Sequence, residues 1–102
     1  MEVGVVMLVL VTYDVNTETD AGKKRLRHVA NICISYGIRV QNSVFECDVD
    51  ASKYKLMKKA ILDEIDDQKD SIRFYNLGNN YSGKIEHFGV KTTVDQEAPL
   101  VF

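Results

Sequence analysis

The order of segments along this 102-residue chain predicts an α+β fold, a ferredoxin-like βαββαβ sandwich in which two helices cover one face of an antiparallel sheet. Three observations carry that prediction: an apolar run that opens the chain, two stretches with helical periodicity, and β-branched or aromatic segments between and after them. The first strand is Val5-Val6-Met7-Leu8-Val9-Leu10-Val11-Thr12-Tyr13, ending at Asp14. Successive strand side chains point to opposite faces, so an unbroken apolar run needs cover on both sides. After the polar loop Val15 to Asp20, Thr19 or Asp20 can cap a helix from about Ala21 to Tyr36. Leu26, Val29, Ala30, Cys33 and Tyr36 form its apolar face, and Gly37 would serve as its left-handed terminator. Gly37 to Val49 reads as two short strands, because alternation fails at Asn42-Ser43, where a tight turn or bulge is expected. Asp50 or Ser52 then caps a second helix, about Ala51 to Ile65, with Tyr54, Met57, Ile61 and Ile65 on its buried face. Asp66 to Asp70 is a polar loop, Ser71 to Leu77 the following strand, and Gly78-Asn79-Asn80 its end. Lys84 to Phe88 reads as a further short strand before the apolar tail Leu100-Val101-Phe102.

A hydrophobic fraction of 45% and a charged fraction of 27% match an ordinary globular protein, so residues 1–102 are read as one domain. Residues 1–6 read as an N-terminal extension and 90–102 as a C-terminal tail. Two helices leave one face of the sheet uncovered while the first strand is apolar on both, which predicts a homodimer packed sheet to sheet. The tail can supply an extra C-terminal strand to the partner's sheet edge, or fold back on its own chain. Cys33 and Cys47 have neither C-x-x-C spacing nor metal-ligand companions and read as reduced thiols in a cytoplasmic protein. The N-terminal apolar stretch is too short for a bilayer and follows Glu2 rather than a basic region, which argues against a signal peptide.

Asp14 is the first candidate for chemistry. A carboxylate where a buried strand stops is costly unless it meets water, a cation or a donor. Two roles are open to it: a turn acid that accepts nearby backbone N–H groups, or a ligand for a cation. The net charge of −2 hides an uneven distribution. Lys23, Lys24, Arg25 and Arg27 crowd the start of the first helix, where positive charge opposes the macrodipole, and Lys53, Lys55, Lys58 and Lys59 form a second group. Either group can be a solvated helix face or a phosphate-binding surface. Glu46 and Asp48 alternate on a strand and read chiefly as solvent-facing; His28 and His87 belong to no nucleophile or metal motif, and no glycine-rich phosphate loop is present.

The strand end Val11-Thr12-Tyr13-Asp14, the basic helix Lys24-Arg25-Leu26-Arg27-His28-Val29-Ala30 and the block Arg39-Val40-Gln41-Asn42-Ser43-Val44-Phe45-Glu46 resemble the small CRISPR-associated adaptation proteins, the second core subunit of spacer acquisition. The resemblance runs from Met7 nearly to the end. It implies a ferredoxin-like homodimer with exchanged C-terminal strands, partnership with the CRISPR integrase, binding of double-stranded DNA, and metal-dependent endonuclease activity on RNA, including single strands, or on DNA. It also implies that Asp14, contributed by both protomers, is the catalytic acid and holds Mg²⁺, for which Mn²⁺ can substitute. A shared ion would relieve repulsion between two such acids and lower the pKa of a bound water. Lys24, Arg25, Arg27 and Arg39 are then the nucleic-acid contacts, with Tyr13 and Ser43 as supporting groups or packing residues. A toxin-like ribonuclease and a non-catalytic regulatory dimer stand as alternatives on the same fold.

Overall fold

The computed structural model describes residues 5–79 and 83–89. Its elements follow the expected order: β1 (Met7–Asp14), α1 (Asp20–Ile34), β2 (Gly37–Gln41), β3 (Val44–Val49), α2 (Ala51–Glu64) and β4 (Ser71–Asn76). The sheet runs β2-β3-β1-β4, every neighbouring pair antiparallel. β1 is thus central, and both of its edges are paired.

The caps choose between the alternatives that the sequence left open. Thr19 accepts from the Gly22 N–H at 3.0 Å and starts α1, while Asp50 accepts from the Lys53 N–H at 2.8 Å and starts α2. Asn42 and Ser43 form the two-residue turn between β2 and β3, with a register shift between Arg39 and Gln41. Gly37 plays another part than the one expected. α1 stops at Ile34, whose C-cap Ser35 is right-handed, and Gly37 opens β2. Its value there is steric, since an added Cβ would lie 1.9 Å from the Glu46 carbonyl oxygen of β3. The short strand expected at Lys84 to Phe88 does not form; these residues are exposed, and Lys84 Nζ donates to the Leu77 carbonyl oxygen at 2.9 Å. β4 ends the described sheet, yet this segment forms no ladder with it. Residues 1–4 and the tail 90–102, with its expected extra strand, lie outside the described residues; Val5 and Val6 precede β1 as exposed coil.

One face of the sheet carries the core. Val9, Val11 and Tyr13 of β1 pack with Phe45, Cys47 and Val49 of β3 under Leu26, Val29, Ala30 and Cys33 of α1 and Met57 and Ile61 of α2. Tyr54 and Ile65 sit at its margin. Both cysteines are free thiols, with Cys47 Sγ donating to the Cys33 carbonyl oxygen. Burying this many apolar side chains supplies the main driving force, at roughly 1.5–3 kcal/mol for each large one. Neither described helix lies over the other face. By strand alternation and register it presents Leu10, Thr12 and Asp14 of β1, Val44 and Glu46 of β3, and Ser71, Arg73 and Tyr75 of β4. No helix among the described residues is long and apolar enough to cross a membrane.

Candidate functional site

The end of β1 separates two environments. Tyr13 belongs to the helix-covered face, where it is 1% exposed, and its hydroxyl donates to the Asp70 carboxylate. Arg25, one and a half turns into α1, donates to the same carboxylate from both Nε (2.8 Å) and an Nη (3.1 Å), a bidentate pair. The Asp66 N–H adds a fourth donor at 3.0 Å. Asp70 is thereby fully satisfied, with 0% of its side chain exposed. Burial works against its ionisation, but the hydrogen bonds from Arg25, Asp66 and Tyr13 and the Arg25 charge outweigh it and hold the carboxyl below its ordinary range. Burial, reinforced by the hydrogen bond to Asp70 and by its charge, pushes the Tyr13 phenol above the ordinary tyrosine range. The Arg25 guanidinium is held charged by Asp70. This cluster ties β1, α1 and the start of β4 together.

Asp14, the next residue, lies on the open face. It lines a polar depression of about 460 Å³ with Thr12, Ser43, Val44, Ser71, Arg73 and Tyr75. The Tyr13 N–H donates to the Ser43 carbonyl oxygen at 2.9 Å, which holds the β2–β3 turn against the end of β1 and brings Ser43 to Asp14. On the other side, Asp14 is paired with Ser71 and Thr12 with Arg73. The Asp14 carboxylate makes no hydrogen bond or ion pair with any described residue. Arg73 donates from an Nη to the Tyr75 hydroxyl at 3.0 Å and has no acid partner among them.

The residues singled out in the sequence are thus divided. Asp14 and Ser43 meet in one depression. Tyr13 contributes to its wall, but its hydroxyl is directed to Asp70 on the far side of the sheet. Arg25 spends its fork on Asp70. Lys24 and Arg27 are exposed on α1, and Arg39 stacks over Phe45, 5.5 Å from the ring centroid, while donating to the Asn42 carbonyl oxygen at 2.8 Å. His28 pairs with Glu64 across the helices at 2.9 Å. Glu46 shares the open face with Asp14 but sits opposite Leu10, four residues before Asp14 in β1.

Four members of this region were not singled out in the sequence. Asp70 reads there as one acid among the run Asp63 to Asp70. Its signal is position, immediately before a strand that must pair with the one ending at Asp14. Ser71 and Arg73, with Tyr75, carry the alternating polar pattern that marks one face of β4. Among the described residues no three His, Cys, Asp or Glu side chains converge. Asp14 is the one carboxylate of its depression. That donor set does not make an all-protein cage. It fits a hard cation that keeps most of its waters and binds through one or two carboxylates and a substrate phosphate.

Comparison with known proteins places these features in a family. Residues 7–85, from the first residue of β1 to beyond β4, match the family CRISPR associated protein Cas2. A CRISPR-associated endonuclease Cas2 of Halalkalibacterium halodurans is 55% identical over 96 residues, covering 94% of this chain and 100% of the relative. A CRISPR-associated endoribonuclease Cas2 of Chlorobaculum tepidum is 54% identical over 95 residues, covering 93% and 99%. Among solved structures, Streptococcus pyogenes Cas2 at pH 6.5 matches with a TM-score of 0.75 at 58% identity, over 81% of this chain and 100% of that one. A hypothetical protein of Thermus thermophilus matches at 0.69 and 32% identity, over 84% and 94%. Fold, element order and sequence agree, and the chain belongs to the Cas2 family of CRISPR-associated proteins.

Proposed function

We propose that the protein is a cytoplasmic, dimeric component of CRISPR spacer acquisition that hydrolyses nucleic-acid phosphodiesters at the depression around Asp14. The observation that carries the hydrolytic reading is an acid whose side chain has no partner among the described residues, set among Ser43, Ser71 and Arg73 on a face that neither described helix covers. Relatives named endonuclease and endoribonuclease support it. Asp14 is the group that would hold Mg²⁺ or Mn²⁺, together with the Asp14 of a second copy across a two-fold axis. The ion's contribution is to polarise a phosphoryl oxygen and acidify a bound water. Ser43 and Ser71 are placed to hydrogen-bond the substrate or that water from either side. No described side chain of the depression is a nucleophile activated by a neighbouring base, so water is the attacking group in this reading.

A second reading, duplex DNA binding as a scaffold for the integrase, rests on a different surface. Lys23, Lys24 and Arg27 are exposed along α1 and free of acid partners among the described residues, as phosphate contacts must be. Arg39 can join them, whereas Arg25 is committed to Asp70. The uncovered sheet face supports the dimer, for which sedimentation at micromolar concentration gives twice the chain mass.

The test of the hydrolytic reading is cleavage of labelled RNA and duplex DNA with Mg²⁺, with Mn²⁺ and with chelator. Asp14→Asn keeps the shape and removes the charge a hard cation needs, so cleavage falls at least 100-fold, on the order expected for a lost metal ligand. Sedimentation and duplex binding stay as in the wild type. Cleavage that survives both chelator and the substitution overturns the site. A wild type that binds duplex DNA without cutting either substrate leaves the scaffold reading alone.

A further inference from the structure

The sheet holds a cation beside Asp14 that no part of the preceding reading uses. β1 and β4 are paired so that Thr12 faces Arg73 and Asp14 faces Ser71, which makes Arg73 the diagonal neighbour of Asp14 on the same open face. Diagonal positions have Cβ atoms roughly 7–8 Å apart or less, well within reach of an arginine. An arginine and an aspartate so placed would ordinarily form an ion pair. They form none here: the Arg73 guanidinium instead donates to the Tyr75 hydroxyl, two positions along its own strand, at 3.0 Å. Asp14 and Arg73 both line the depression. Most of the five guanidinium N–H donors are left for a ligand.

We propose that Arg73 is the phosphate-binding residue of the Asp14 site, and that Tyr75 is a positioning residue that keeps Arg73 from collapsing onto Asp14. The inference rests on the hydrolytic reading of Asp14 for its reaction, and on the β1–β4 geometry for its binding role. A phosphodiester in the depression places one non-bridging oxygen toward Asp14, where the cation belongs, and offers the other to the Arg73 fork. A planar guanidinium suits two phosphate oxygens, and its fixed charge opposes the negative charge that grows on phosphorus during in-line attack. Separation of the two poles is what keeps both usable. A direct Asp14–Arg73 ion pair would neutralise the carboxylate for the cation and the guanidinium for the phosphate at once.

The experiment measures binding and turnover separately. Labelled single-stranded RNA is titrated into wild type, Arg73→Gln, Arg73→Lys and Tyr75→Phe in chelator, so that no cleavage occurs, and KM and kcat are then measured with Mg²⁺. Arg73→Gln weakens binding and raises KM about tenfold, and the slope of log affinity against log salt falls by about 0.7, the value for one phosphate contact on a single strand. Arg73→Lys, which keeps charge without the fork, recovers part of the affinity. Tyr75→Phe weakens binding severalfold in the wild type and much less in an Asp14→Asn background, where no carboxylate awaits the released guanidinium. An unchanged affinity and KM for Arg73→Gln overturn the proposal, even where Asp14→Asn abolishes cleavage and the hydrolytic reading stands. Sedimentation that shows Arg73→Gln dissociating a dimer also overturns it, by assigning the guanidinium to a carboxylate of a second copy. If wild type does not cut at all, the chelator titration still decides the binding role.

Discussion

Tyr13 and Asp14 are adjacent in the chain and opposite in every physical respect. Tyr13 points under the helices into a closed network in which Asp70 collects donors from Tyr13, Arg25 and Asp66, and nothing polar is left over. The Asp14 side chain points to the open face and has no partner among the described residues, while Arg73 donates to the Tyr75 hydroxyl. Strand alternation alone produces this split. It teaches that one strand end can commit its polar groups to a closed network on one side and leave a carboxylate without a described partner on the other.

The contrast is open to attack through stability, beginning with the largest effect. Asp70→Ala strips the shared acceptor from the closed side and leaves the Tyr13 hydroxyl and the Arg25 fork unmatched. Removing one partner of a buried charged cluster costs about 3 kcal/mol, which lowers Tm by more than about 10 °C in a domain of this size. Thermal unfolding followed by circular dichroism measures it, and a loss of only a degree or two would mean that the network is ornamental.

Acid provides the next probe. The folded Asp70 carboxyl titrates below its unfolded value, so its contribution is present above the ordinary carboxylate range and is lost as pH falls through the depressed folded value. Unfolding midpoints in urea therefore drop on acidification more steeply in the wild type than in Asp70→Asn. Equal acid limbs would show that other carboxylates carry the pH dependence.

Tyr13→Phe is milder, because Asp70 keeps three donors. Losing one hydrogen bond to a charged group costs about 1.5 kcal/mol, read as a shift of the urea midpoint at constant slope. The smallest change belongs to the open side. Asp14→Asn leaves Tm within about 2 °C of the wild type, as expected for an exposed group without partners. The ranking for cleavage runs the other way, with Asp14→Asn the most damaging substitution of the four. A variant series in which stability and cleavage fell together would erase the distinction between the two faces.

Periodicity and local chemistry carried the sequence a long way towards this fold. The apolar run before Asp14, the helical spacing of Leu26, Val29, Ala30 and Cys33, the Asn42-Ser43 turn and the Asp50 cap all depend on neighbours within a few residues, which is the range over which backbone propensity acts. Asp14 was singled out as well: the strand end left it open as a turn acid or a cation ligand, the family likeness pointed to the second, and the structure sets it on the open face. Where a residue's role depends on a distant segment, the sequence was silent or pointed elsewhere. Gly37 has the composition of a helix terminator, but the backbone of β3 decides its use. Lys84 to Phe88 has the pattern of a strand but joins no described strand. Arg25 has the look of a phosphate contact within a basic run, yet Asp70, forty-five positions away, claims its fork. Ser71 and Arg73 acquire meaning only when β4 is laid beside β1 in one register, because that pairing sets which charges share a face and which are kept apart. Local order is written in the spacing of side chains along the chain; the partnership of charges is decided by strand register and helix packing, which bring together groups that the linear sequence keeps far apart.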